Sequence, residues 1–152
     1  MLSWFRNKKI PDIYLYVSHF LDHFIILVFA KAAYDAGQDI GLTYGETIQL
    51  ATLGFILFGV ASPIAARVAD IFSRSLIMVV FHFGVGISSI MLSFSHTSFH
   101  LLLGLSSLGF FAAIFHPVGI AMLLENKERV GLRLGINGLF GNMGVASAPL
   151  IT

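Results

Sequence analysis

The chain has 152 residues, of which 57% are hydrophobic and only 11% charged, with a formal net charge of +1. Soluble domains run nearer roughly 45–50% apolar and about 25% charged, so a chain of this size cannot hide so much apolar surface from water and its solvent is lipid. No basic patch accompanies the small net charge, which sets nucleic acid aside as a partner; the absence of cysteine excludes disulfides, thiolate chemistry and zinc–thiolate sites.

A hydrocarbon core of about 30 Å takes roughly 20 apolar residues in helix, and the sequence divides on that scale. Residues 1–11 form a short basic leader carrying Arg6, Lys8 and Lys9. They are not the start of a cleaved signal peptide, because the apolar run that follows is too long and no small-residue cleavage site ends it. Pro11 suits the first turn of a helix, and the first span is expected over residues 12–34. A polar turn over residues 35–43, with Gly37 and Gly41, leads to a second span over 44–68. The stretch GVASPIAARVADIFSR, Gly59 to Arg74, places Arg67, Asp70 and Arg74 within eight residues and reads as a charged loop. Spans three and four follow over 75–94 and 99–124, separated by a short turn. A second charged segment, ENKERVGLR, precedes a fifth span over 133–152. The expected fold is therefore an all-α integral membrane protein with about five transmembrane helices.

Orientation follows from the positive-inside rule. Arg6, Lys8, Lys9, Arg67, Arg74, Lys127, Arg129 and Arg133 fall on one side of this arrangement, and Lys31 alone among the nine bases falls on the other, beside Asp35, Asp39 and Glu46. The N-terminus is expected in the cytoplasm. The chain reaches Thr152 while still apolar, with no polar stop, so a fragment of a longer product with further helices is expected.

Ionisable groups within the spans are the candidates for function. Asp22 sits near the middle of the first span in SHFLDHF, with His19 one turn before it and His23 next to it, about 100° round the helix. A charged carboxylate at that depth is costly, so Asp22 should be protonated, paired or facing a wet cavity, and it is a candidate proton carrier. The structural alternative is an interhelical hydrogen bond without a transport role. His116-Pro117 in the fourth span couples a polar ring to a residue that lacks an N–H and kinks its helix, which suits a binding cavity; alternatively His116 only satisfies the carbonyl that Pro117 frees. His82 reads as a packing residue. His96 and His100 have the i, i+4 spacing of metal ligands but read more simply as an interfacial pair, so no metal site is expected. Lys31 and Asp35, also i, i+4, should pair at the outer rim. In the fifth span Gly135, Gly138, Gly141 and Gly144 recur every three residues, and such a stripe lets a helix pack its backbone close to a neighbour; Pro149 bends or ends it. No soluble-enzyme motif is present, so no enzyme and no cofactor are expected.

The charged loop resembles the loop between the second and third helices of the major facilitator superfamily, which runs roughly G-R-L-A-D-R-x-G-R-R. Arg67, Ala69, Asp70 and Arg74 match that pattern, while Ala66, Ile71, Ser73 and Ser75 depart from it. Gly141, Gly144 and Pro149 match the glycine-rich stretch that ends in Gly-Pro in the fifth helix of proton-coupled exporters, with Ala148 in place of the last glycine; Leu105 stands where many drug exporters carry an arginine. Within the superfamily, SHFLDH, FHP and GNMG…AP are most similar to fosmidomycin-resistance-type efflux proteins. The resemblance implies the N-terminal part of a proton-coupled antiporter for drug-like small molecules, in the bacterial inner membrane, working by alternating access between two six-helix halves. It implies a cavity lined by Asp22, His19, His23 and His116, and a gating loop of Arg67, Asp70 and Arg74. Its partners would be the lipid bilayer, the proton, a small-molecule substrate and the remaining transmembrane helices. Import of a metal or anionic solute through the histidines is an alternative, as is a non-transporting membrane fragment that acts as an assembly partner.

Overall fold

The structure, a computed structural model, describes residues 11–125 and 128–152. The leader bases Arg6, Lys8 and Lys9, and Lys127 of the second charged segment, lie outside the described residues. The described chain is helical throughout: α1 is Asp12–Asp39, α2 Tyr44–Ile71, α3 Arg74–Ser93, α4 Ser98–Ala112, α5 Phe115–Glu125 and α6 Val130–Ser147, and a 3₁₀ turn, Ala148–Leu150, ends it.

Local chemistry accounts for most of the boundaries. Pro11 caps α1 in extended conformation, with Asp12 in the first turn, where a carboxylate suits the positive end of the helix dipole. The helix then runs to Asp39 and takes in residues 35–39 of the expected polar turn. The i, i+4 pairs Lys31–Asp35 and Tyr34–Gln38 lie along that last stretch and support continued helix. Thr43 opens α2 with a capping box: Thr43 N–H donates to the Glu46 carboxylate (2.8 Å) and Glu46 N–H to the Thr43 hydroxyl (3.3 Å).

The connection from α2 to α3 is shorter than the expected loop. Only Phe72 and Ser73 are non-helical there, and Ser73 caps α3. Arg67 and Asp70 therefore stand on the last turns of α2, and Arg74 is the first residue of α3. The fourth span is in two pieces. Pro117 offers no N–H to the carbonyl one turn back, and the chain breaks at Ala113–Ile114, where Ile114 N–H turns to the Phe111 carbonyl (3.2 Å). α4 and α5 are the two halves.

α1 packs along α6, α2 along α4, and α3 against α4 and α5. Phe81, Phe115, Leu15, Met78, Leu101 and Leu123 are fully buried in the core. α2 and α4 cross backbone to backbone: a Cβ on Gly54 would stand 2.6 Å from the Leu105 carbonyl oxygen, and one on Gly109 would strike the Gly54 carbonyl. Large apolar side chains such as Phe55, Phe83 and Ile90 face outward, an arrangement that only lipid solvates at low cost. Among the described residues four helical stretches are long and apolar enough to cross a membrane: Asp12–Asp39, Tyr44–Ile71, Arg74–Ser93 and Ser98–Glu125. α6 falls outside that set because glycines, two asparagines and Arg133 dilute its apolar residues. Its 18 residues still reach about 27 Å, and it lies against α1.

Candidate functional site

The break before Pro117 turns the start of α5 toward the middle of α1, and a polar cluster forms there inside the apolar core. Asp22 on α1 is fully buried, with neither carboxylate oxygen hydrogen-bonded within the described chain. His116 on α5 faces it, with Nε2 3.5 Å from Oδ2. His19, one turn earlier on α1, has Nδ1 2.8 Å from the backbone carbonyl of Asn137 on α6. A carbonyl only accepts, so Nδ1 carries the proton and Nε2 presents its lone pair. His23 Nε2 lies 3.1 Å from that atom. His23, set about 100° round the helix from Asp22, is nonetheless one turn after His19 and meets it. The three imidazoles of His19, His23 and His116 place one ring nitrogen each within 4.8 Å of the others.

Aromatic contacts fix these rings. Phe115 stacks on His19, with centroids 4.9 Å apart and planes at 25°, and Phe58 on α2 meets His116 edge-on at 6.4 Å. Phe58 also lines an apolar cavity of about 450 Å³ between α1, α2 and α4, walled by Ile26, Phe29, Ala33, Tyr44 and Leu108. Phe58 thus touches both the cavity and the His116 ring.

The glycine stripe on α6 divides in two. A Cβ on Gly141 would stand 2.7 Å from the His19 ring, and one on Gly144 would strike the Phe20 carbonyl of α1. Glycine at these two positions lets α6 approach the cluster. Nothing lies within 4 Å of a Cβ placed on Gly135 or Gly138, so those two take no part in that approach. Pro149 is exposed in the 3₁₀ turn beyond α6.

A second polar group lies at the end of the bundle where α2 meets α3. Arg74 pairs with Asp70 on α2 (3.0 Å) and with Glu125 at the end of α5 (2.8 Å). Arg133 on α6 grips Asp12 at the start of α1 with Nε and a terminal nitrogen, and donates to the Leu123 carbonyl. Arg67, exposed on α2, belongs to neither group. Asp12 and Glu125 were absent from the sequence-based site; a base one turn inside an apolar helix, as Arg133 is, signals a carboxylate partner but does not say which. His82 is not simply a packing residue. It lies 3.1 Å from both the Tyr14 hydroxyl and the Ser18 hydroxyl and donates from Nδ1 to the Met78 carbonyl (2.8 Å), tying α3 to α1.

A family model described as Major Facilitator Superfamily matches residues 14–152. No curated protein and no solved structure matches the chain.

Proposed function

The chain belongs to the major facilitator superfamily, a family of membrane transporters, and on that premise we propose that it moves a small solute across the membrane by proton-coupled alternating access, in the manner of the fosmidomycin-resistance-type exporters. α1, α2, α3, the broken α4–α5 and α6 stand for the first five spans of the family's N-terminal half. The observation that carries the reading is Asp22: a carboxylate buried in the middle of a lipid-facing bundle, without a hydrogen bond among the described residues, 3.5 Å from an imidazole on a broken helix. Intramembrane ionisable groups of this kind mark solute and proton pathways, and broken helices line the binding sites of secondary transporters.

In this mechanism Asp22 takes up a proton when the cavity faces one side of the membrane and gives it up when the cavity faces the other. His116 opposite it, with His19 and His23 behind, relays the proton or holds the solute. The Arg74–Asp70–Glu125 and Arg133–Asp12 pairs latch one end of the bundle. Arg67, Arg74, Arg129 and Arg133 lie around that end, so it faces the cytoplasm by the positive-inside rule; the bacterial inner membrane is the setting that suits an exporter of this type. Import of a metal or an anionic solute is a second reading, favoured by the three facing imidazoles.

The test is expression of the complete reading frame in a fosmidomycin-sensitive bacterium. Protection that disappears when a protonophore collapses the proton gradient supports the exporter. Protection that survives the protonophore sinks proton coupling, and absence of protection with the protein in the membrane sinks the fosmidomycin-type assignment.

A further inference from the structure

Three of the chain's six histidines converge at one place, and their geometry goes beyond what a proton path needs. A divalent ion held tetrahedrally by nitrogens at about 2.0–2.1 Å keeps those nitrogens about 3.3 Å apart. His19 Nε2 and His23 Nε2 already stand 3.1 Å apart, and the third imidazole nitrogen, on the half-buried His116, lies within 4.8 Å of both. His19 also has the outer support typical of a metal ligand: its Nδ1–H is donated to the Asn137 carbonyl, which fixes the ring and turns Nε2 inward. Gly141 leaves room for that ring, since a Cβ there would stand 2.7 Å from it.

The second, independent observation is Asp22. Its side chain is fully buried, neither oxygen has a hydrogen bond among the described residues, and it lies against His116. Three neutral imidazoles make a nitrogen-rich ligand set, and the Asp22 carboxylate beside His116 can place one negative charge next to it. Such a set favours zinc and its first-row neighbours over magnesium or calcium, which take oxygen.

We infer that His19, His23 and His116, with the Asp22 carboxylate beside His116 as a charge-balancing neighbour, form a binding site for a divalent transition-metal ion. The inference rests on the reading of this cluster as the solute site and names the class of solute; it is neutral on direction and on the driving ion. Proton loading of Asp22 is not needed for it.

The experiment uses the complete gene product, purified in detergent without a histidine tag and stripped with chelator, titrated with Zn²⁺ by calorimetry and with Co²⁺ by visible absorption. Expected are about one Zn²⁺ per chain at this site, a Co²⁺ spectrum of tetrahedral type, and no response to Mg²⁺. His19→Ala, His23→Ala and His116→Ala each weaken Zn²⁺ binding by about 100-fold or more, since losing a ligand costs more than the 10–100-fold typical of an outer partner. Gly141→Ala retains every ligand but pushes on the His19 ring, and weakens binding by about 10–100-fold. The double variant His96→Ala/His100→Ala, which removes the other closely spaced histidines, binds as the parent does. No Zn²⁺ binding by the parent, or binding unmoved by the three alanine variants whatever the double variant does, overturns the site. Zinc uptake by proteoliposomes separates the two levels. Binding without uptake upholds the site and counts against transport of the ion, whereas fosmidomycin protection without zinc binding overturns the site and leaves the exporter standing.

Discussion

At the scale of single residues, the chain's polar groups are few enough that each must find a partner, and the partners are remote in sequence. His82 reads as a lone ring in an apolar run because Tyr14 and Ser18, which face it, are 68 and 64 residues away. Asp22 stands out in the sequence because a carboxylate in mid-span is unusual in itself, but its proximity to His116 depends on how α5 is aimed. Ser18→Ala leaves one ring nitrogen of His82 without its hydroxyl. Hydrogen bonds between membrane helices contribute about 0.6 kcal/mol on average and up to about 1.7, so the variant should unfold at a slightly lower temperature in detergent with its Zn²⁺ affinity unchanged. A parallel fall in Zn²⁺ affinity would show that the His82 network and the imidazole cluster are coupled.

At the scale of elements, apolar run length makes the number of helices legible, but not their ends. The charged stretch from Arg67 to Arg74, expected as a loop, is nearly all helix, because Ser73 caps α3 with only Phe72 between it and the end of α2. The glycine stripe expected in the fifth span is used only in part: Gly141 and Gly144 bring α6 against α1, while Gly135 and Gly138 meet nothing. Pro117 is the clearest sequence signal of the set: it predicts a kink, and the chain breaks one turn before it. The side toward which α5 then points is set by packing against α1 and α3 and is not encoded locally. Pro117→Ala restores an N–H that can bond the Ala113 carbonyl, so α4 and α5 should join. The thermal midpoint is expected to hold or rise, since proline in a helix interior is unfavourable by about 3 kcal/mol, while Zn²⁺ affinity falls about 10-fold as His116 swings away from its partners. A lowered midpoint with unchanged affinity would mean that the break is required for folding and has no role in positioning His116.

At the scale of the whole molecule, composition alone places the chain in lipid and the Arg67–Asp70–Arg74 pattern points to its family. The pairs that tie the ends of the bundle together, Arg74–Glu125 and Arg133–Asp12, span 51 and 121 residues and leave no local trace. Both Arg74 pairs are substantially exposed, Asp70 and Glu125 each at 58% of the side chain, so together they contribute no more than about 1 kcal/mol to stability. Their work in a transporter is to bias one conformation, and a change of that size shifts a two-state population several-fold. Arg74→Gln should therefore leave the thermal midpoint nearly unchanged but speed labelling of a single cysteine introduced by Ser75→Cys, with which no cysteine of these 152 residues competes; labelling at the parent rate would remove the latch. The central claim is that Asp22 carries the proton. It is tested by proton movement in vesicles containing the complete gene product and a trapped pH indicator, with fosmidomycin or Zn²⁺ as the added solute. The parent protein should shift the internal pH on addition of one of these solutes, and Asp22→Asn, inserted to the same level, should give no shift. An equal shift in Asp22→Asn, or none in the parent, would contradict the account.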